Sequence, residues 1–176
     1  LIAVVAKDGN MFSKQYLSTL ENITNDVINL DATDDAKVRS LFTPNVRFIE
    51  VVEDGLSGGN VIPQDFTPNQ DGFAATPEQF ATIKGNIVKA GIVGRLVAKD
   101  YSGSMVWGDL IPESDVNKLD YQAVAKQLEG IRQKYEKQIA CVIDAGACPS
   151  EPTTVVDMTG DSPEIMRVGR GDPANL

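Results

Sequence analysis

The sequence predicts an α+β fold in which repeated β-α-β units form an open sheet with helices packed on one face. Three observations carry this expectation. Short apolar runs closed by Gly, Asp or Asn alternate with apolar stripes at helical spacing. Each stripe follows a residue suited to cap a helix: Ser13, Thr76 or Asp120. The stretch Gly94–Pro112 (GRLVAKDYSGSMVWGDLIP) reads as a hairpin that leads into the last of these helices.

Ile2 to Ala6 form the first strand, ended by a Lys7-Asp8-Gly9-Asn10 turn. Ser13 caps a helix whose buried stripe is Leu17, Leu20, Ile23, Val27 and Ile28. A polar connection, Asp31 to Asp35, leads to Val38-Arg39-Ser40-Leu41-Phe42. Arg47 to Val52 (RFIEVV) is the second strand, with Phe48 and Glu50 on one face and Arg47, Ile49 and Val51 on the other.

From Glu53 to Ala75 the chain is rich in Gly, Asn, Asp and Pro and has no period. A connection of about 20 residues is unusual in a compact domain and tends to be functional or mobile. Thr76-Pro77-Glu78-Gln79 then gives a helix start, with Thr at the cap, Pro at the first helical position and Gln three residues after the cap. Phe80, Ile83 and Ile87 are that helix's core stripe, and Gly91 and Gly94 its stops.

Two strands follow, Gly94 to Lys99 and Ser104 to Ile111, joined by an Asp100-Tyr101-Ser102-Gly103 turn. Asp120 caps the third helix, which carries Tyr121, Val124, Leu128, Ile131 and Tyr135 and runs to about Glu136. Two successive β-α-β units predict a layout similar to the ferredoxin-like split β-α-β arrangement.

The 176 residues suffice for one ample core or two small ones. Hydrophobic content of 42% and charged content of 23% are those of an ordinary globular protein. Sixteen Lys and Arg against 25 Asp and Glu leave a net charge of -9, which argues against nucleic acid and anionic lipid as partners. No segment approaches the roughly 20 apolar residues of a membrane span. The chain opens at Leu1 inside an apolar run (LIAVVA), which reads as an excised piece of a longer protein or a processed mature chain.

The absence of histidine removes the usual neutral-pH acid/base and the commonest metal ligand, so Ser13, Ser57 and Ser102 have no imidazole to activate them. No catalytic residue, metal site or cofactor is expected. Cys141 and Cys148 make neither a closed zinc site nor a disulfide framework; they read as small, partly buried residues, with a local disulfide as the alternative.

Asp144, Asp157 and Asp161 with Glu164 are too scattered for a calcium loop and read as turn and strand-end acids. Asp31, Asp34 and Asp35 read as a solvated connection. Gly55, Gly58 and Gly59 lack the Gly-Lys-Ser/Thr of a phosphate loop and read as flexible backbone. Asn22-Ile23-Thr24 fits a glycosylation pattern but reads as helix surface. Trp107 reads first as a core or sheet-face residue and second as a substrate platform. Phe66 and Phe73, in the long polar connection, are the candidates for outside contacts, balanced by a reading in which both rings fold back onto the domain.

Up to about Glu136 the chain resembles the first periplasmic loop domain of an RND-superfamily exporter of the MMPL-like type. The resemblance rests on the opening strand with Lys7-Asp8-Gly9-Asn10-Met11-Phe12, on Val38-Arg39-Ser40-Leu41-Phe42-Thr43, and on Gly94-Arg95-Leu96-Val97-Ala98-Lys99-Asp100-Tyr101. It implies a soluble domain on the periplasmic side of a bacterial inner membrane, inserted between the first two membrane helices of a proton-driven exporter. Such a domain takes part in substrate capture and conduction of hydrophobic or amphipathic compounds or lipids. The implied partners are the membrane helices and second periplasmic domain of the transporter, with homo-oligomerisation possible. The proton-relay acids would lie in the membrane part, so no transport activity is expected of this piece alone, and the resemblance implies no enzyme.

Residues 138–176 (QIACVIDAGACPSEPTTVVDMTGDSPEIMRVGRGDPANL) are instead similar to the C-terminal end of YrdC-like proteins, the family of threonylcarbamoyl-AMP synthases. The alternative function this implies is a fragment of a nucleotide- or RNA-modification protein, with Thr153 and Thr154 near a nucleotide. That family's basic N-terminal motif has no counterpart upstream. The domains implied are therefore 1–137 and a β-rich tail at 138–176, with a seam near Glu136 to Gln138. A natural fusion, a cloning chimera or an error in the chain sequence would each produce such a seam. The β propensity of Gln138 to Ile143 (QIACVI) fits it to an edge slot beside the hairpin.

Overall fold

A computed structural model describes residues 1–66, 68–69, 73–112, 119–139, 141–144, 154–157 and 164–167. It divides the chain into two units, Leu1–Ala145 and Gly146–Leu176. In the first, the elements run β1 (Ile2–Val5), α1 (Lys14–Ile28), β2 (Thr33–Arg39), β3 (Arg47–Val52), β4 (Gly55–Asn60), a 3-10 turn (Gln64–Phe66), α2 (Pro77–Lys89), β5 (Gly103–Leu110), α3 (Tyr121–Tyr135) and β6 (Cys141–Asp144). In the second, β7 (Val155–Asp157) pairs antiparallel with β8 (Glu164–Arg167).

Four strands make the main sheet, in the order β2-β5-β1-β6 with every neighbouring pair antiparallel. α1 connects β1 to β2 and α3 connects β5 to β6, and each crossover skips one strand. That is a split β-α-β arrangement, repeated, with β3, β4 and α2 inserted between β2 and β5. The expected α+β class and open sheet are present.

Period-2 alternation selects the buried face. Ile2, Val4, Ser104 and Val106 are buried, while Ala3, Val5 and Met105 are half-buried and Trp107 is exposed. The buried face shares one core with Leu17, Leu20 and Ile23 of α1, Ile83 and Ile87 of α2, and Ile131 and Tyr135 of α3. Full burial of each such aliphatic side chain contributes about 1.5–3 kcal/mol.

The three helix starts follow their local chemistry. The Ser13 hydroxyl accepts from the Tyr16 amide, and the Asp120 carboxylate accepts from the amides of Gln122 and Ala123. At Thr76 both halves of the capping box form, the Thr76 hydroxyl with the Gln79 amide and the Gln79 side chain with the Thr76 amide. α1 and α3 are tied together where Lys134 Nζ and Tyr135 OH both donate to the Asp26 carboxylate, at 2.7 and 2.8 Å.

The strand assignments differ from expectation in five places. The strand that follows α1 in the sheet is Thr33–Arg39, which includes part of the polar connection. It is an edge strand in which only Thr33 and Val38 are buried, so it lacks a hydrophobic signal, and its exposed Asp35, Lys37 and Arg39 blunt the edge. Arg47–Val52 is a strand, yet it lies outside the main sheet and pairs with β4. The expected flexible glycines are themselves strand: a Cβ on Gly58 would sit 2.6 Å from the Phe48 carbonyl oxygen, and one on Gly59 would sit 3.4 Å from the Phe48 ring. Close backbone approach explains Gly58 and the Phe48 ring crowds Gly59, whereas Gly55 meets nothing and uses its conformational freedom, at φ +133°.

Gly94–Lys99 is not a strand. The amides of Arg95, Leu96 and Val97 all turn back to the Ile92 carbonyl, and Gly94 has φ +78°. The Val97–Ser104 bridge, the Ala98 N–H to Gly103 C=O bond (2.9 Å) and the Met105 N–H to Leu96 C=O bond (2.8 Å) keep a hairpin-like relation to β5. Finally, Cys141–Asp144 does take a sheet edge, but beside β1 rather than beside the hairpin strand, with Val4 opposite Val142.

Candidate functional site

A second stripe of α1, displaced from its core stripe, carries Glu21, Thr24, Asn25 and Ile28 at helical spacing. It forms one wall of an open cleft of about 590 Å³. The opposite wall comes from Phe42 and Pro44, just after β2, and from Asn60, Ile62, Pro63 and Gln64 at the end of β4. That volume lies within the small-molecule range of roughly 300–1,000 Å³.

Buried polar bonds fix both walls. The Thr24 hydroxyl donates to the Leu20 carbonyl (2.8 Å) and shares a 2.7 Å bond with Ser40 Oγ. Ser40 and Thr43 close a tight turn, with Ser40 N–H donating to Thr43 Oγ1 (2.9 Å) and Thr43 N–H to the Ser40 carbonyl (3.2 Å). This turn places Phe42 and Pro44. On the other side Asn86 of α2 donates to the Val61 carbonyl (3.1 Å) and anchors the segment that carries Ile62.

Ile28, Phe42, Pro44, Ile62 and Pro63 give the cleft an apolar wall. Asn25, Asn60 and Gln64 add amides, and Glu21 adds a carboxylate. Glu21 Oε2 accepts from Asn69 Nδ2 at 2.7 Å and from the Asn69 amide at 3.3 Å. Burial raises the Glu21 carboxyl above its ordinary pKa, and the Asn69 hydrogen bonds only partly oppose that shift. The arrangement can hold a small amphipathic molecule by shape, apolar contact and one negative charge.

None of the aromatic candidates lines this cleft. Phe73 is only 3% exposed and Phe66 half-buried, so both fold back onto the domain. Their rings begin a chain of contacts: Phe66 to Phe73 at 6.5 Å, Phe73 to Phe80 at 6.0 Å, Phe80 to Phe12 at 6.4 Å and Phe12 to Tyr101 at 5.6 Å. Lys84 caps that chain over Tyr101, 4.6 Å from the ring centre. Trp107 stands on the outer sheet face, 47% exposed, and its Nε1 donates to Asp109 Oδ1 at 2.7 Å.

Thr154 is half-buried next to β7, and Thr153 lies outside the described residues, as do Cys148 and Asp161. Asp157 and Glu164 are register partners across β7 and β8, while Asp144 ends β6 of the first unit. Asp34 pairs with Lys37 at 2.8 Å. Ser13 is a cap, Ser57 lies in β4, and Ser102 Oγ donates to Asp100 within its turn. Asn22 is half-buried and Thr24 buried, so that pair is not plain helix surface. Glu21 and Asn25 were not singled out by the sequence. The available signal was a second helical stripe, 21-24/25-28, beside the core stripe.

No family model matches the chain. Part of it is similar to curated bacterial proteins. An uncharacterized protein of Haemophilus influenzae is 48% identical over 46 residues, 26% of this chain and 22% of that protein. The uncharacterized protein YciO of Escherichia coli K12 is 43% identical over 44 residues, 25% of this chain and 21% of YciO, and YciO of Shigella flexneri gives the same figures. The chain thus spans about a fifth of the length of these relatives. No solved structure matches. Among the described residues, no helix is long and apolar enough to cross a membrane.

Proposed function

We propose that the first unit is a non-enzymatic, porter-type domain of an RND-type exporter, which captures hydrophobic or amphipathic compounds on the periplasmic side of the inner membrane. The membrane helices and second periplasmic domain of such a transporter would be its partners. One observation carries the reading. The cleft joins two parts of the fold, α1 of the main layer and the β4 end of the inserted hairpin. Movement of the insert against the sheet layer would widen or close it, as substrate capture and release require.

Calorimetric titration of the whole chain tests this. A submicellar alkyl-chain detergent is expected to bind saturably at one site, and Phe42→Ala to weaken it about tenfold by removing part of the apolar wall. Absence of saturable binding would overturn the reading.

The segment shared with uncharacterized bacterial proteins favours a second reading, a YrdC-like nucleotide- or RNA-modification fragment. Its arm of the titration is ATP with threonine. Saturable ATP binding that is lost in Thr154→Ala would support it in place of the first.

A further inference from the structure

We infer that the cleft selects amphiphiles that carry a positive charge, with the Glu21 carboxylate as the counter-charge. This selection rests on the capture reading above and narrows it to one ligand class.

Among the described lining residues Glu21 is the one charged group, and no Lys or Arg joins it. The ion pairs of the described residues occupy Asp26, Asp34, Glu50, Glu129 and Glu136, and leave Glu21 with neutral partners from Asn69. A carboxylate that is partly withdrawn from water and paired only with an amide gains from a cation brought beside it. The raised Glu21 pKa reports the same unrelieved desolvation, which a bound ammonium would offset.

The remaining wall specifies the rest of the ligand. Phe42, Ile62 and Ile28 offer apolar surface to an alkyl or ring body. An anionic head would meet Glu21 without a compensating cation, and a neutral head would gain only the apolar wall. The net charge of -9 adds a long-range field that concentrates cations at the surface.

Three twelve-carbon amphiphiles separate the possibilities: dodecyltrimethylammonium, dodecyl maltoside and dodecyl sulfate. Each is titrated below its micellar concentration, at fixed ionic strength, into the full chain and into Glu21→Gln. The glutamine keeps an acceptor for Asn69, and unchanged circular dichroism and Tm confirm the fold. The ammonium is expected to bind about tenfold tighter than the maltoside, and Glu21→Gln to erase that margin. Equal affinity for ammonium and maltoside, tighter binding of the sulfate, or an ammonium preference that survives Glu21→Gln would each overturn the charge selection and leave capture standing. Binding of none of the three would overturn capture, and the selection with it.

Discussion

Tyr16 ties the first helix to two strands through one hydroxyl, which donates to the Val4 carbonyl at 2.9 Å and meets Ser104 Oγ at 3.0 Å. Burial pushes its pKa from 10.0 up to about 12. Unfolded tyrosine therefore releases its proton first, so the contribution is complete below pH 10 and is lost as pH rises towards 12. A two-unit shift corresponds to about 3 kcal/mol. Urea unfolding between pH 9 and pH 12 should show this alkaline loss in the wild type and not in Tyr16→Phe, which itself costs about 1 kcal/mol at neutral pH. Parallel curves for the two proteins would disprove the coupling. At this scale the caps Ser13, Thr76 and Asp120 were legible because capping needs only neighbours along the chain. The burial of Phe66 and Phe73 was not, because Phe73 packs on Phe80 of α2, which in turn meets Phe12 ahead of α1, and neither lies in the long connection.

Elements with their own period were read correctly: α1, α2 and α3 each show an apolar stripe from a capped start. β1 and most of β5 were also legible, as apolar runs with turns beside them. β2 and β4 were not. The first is a charged edge strand held by pairing with β5 at its two ends, Thr33 to Leu110 and Arg39 to Trp107. The second is a glycine-rich strand whose pairing depends on the backbone of Phe48. In both, tertiary contact overrides weak local propensity. The cleft inherited that difficulty, since Asn60 and Ile62 are placed by β4 and Val61. Gly58→Ala puts a methyl against the Phe48 carbonyl and should destabilise the hairpin by about 1–3 kcal/mol. Hydrogen exchange should locate the lost protection in residues 47–60, with weaker cleft binding alongside. Undiminished protection there would refute the packing account. The same hairpin leaves Ile49, Val51 and Leu56 on one face, 65%, 84% and 76% exposed, with Val51 opposite Leu56. Apolar exposure of that extent is unusual for a single hairpin face.

Across the whole first unit, sequence neighbours are seldom sheet neighbours. β1 lies between β5 and β6, both far away along the chain, and Lys7 Nζ reaches the Lys137 carbonyl. A chain stopped after Lys137 would lose β6 and leave β1 as an open edge, with only β5 to pair it. Those of the Ile2–Val5 amides that face β6 are expected to lose hydrogen-exchange protection and the protein to aggregate, whereas a chain stopped after Ala145 should keep both protection and solubility. Equal behaviour of the two would show that β6 is dispensable. The same topology governs timing during synthesis. At roughly 5–20 residues per second, the flank of the opening strand waits on the order of ten seconds for its final neighbour to leave the ribosome. Through that interval the newborn polypeptide carries an unfinished, sticky border, so its yield in a cell should depend on how well chaperones shield it.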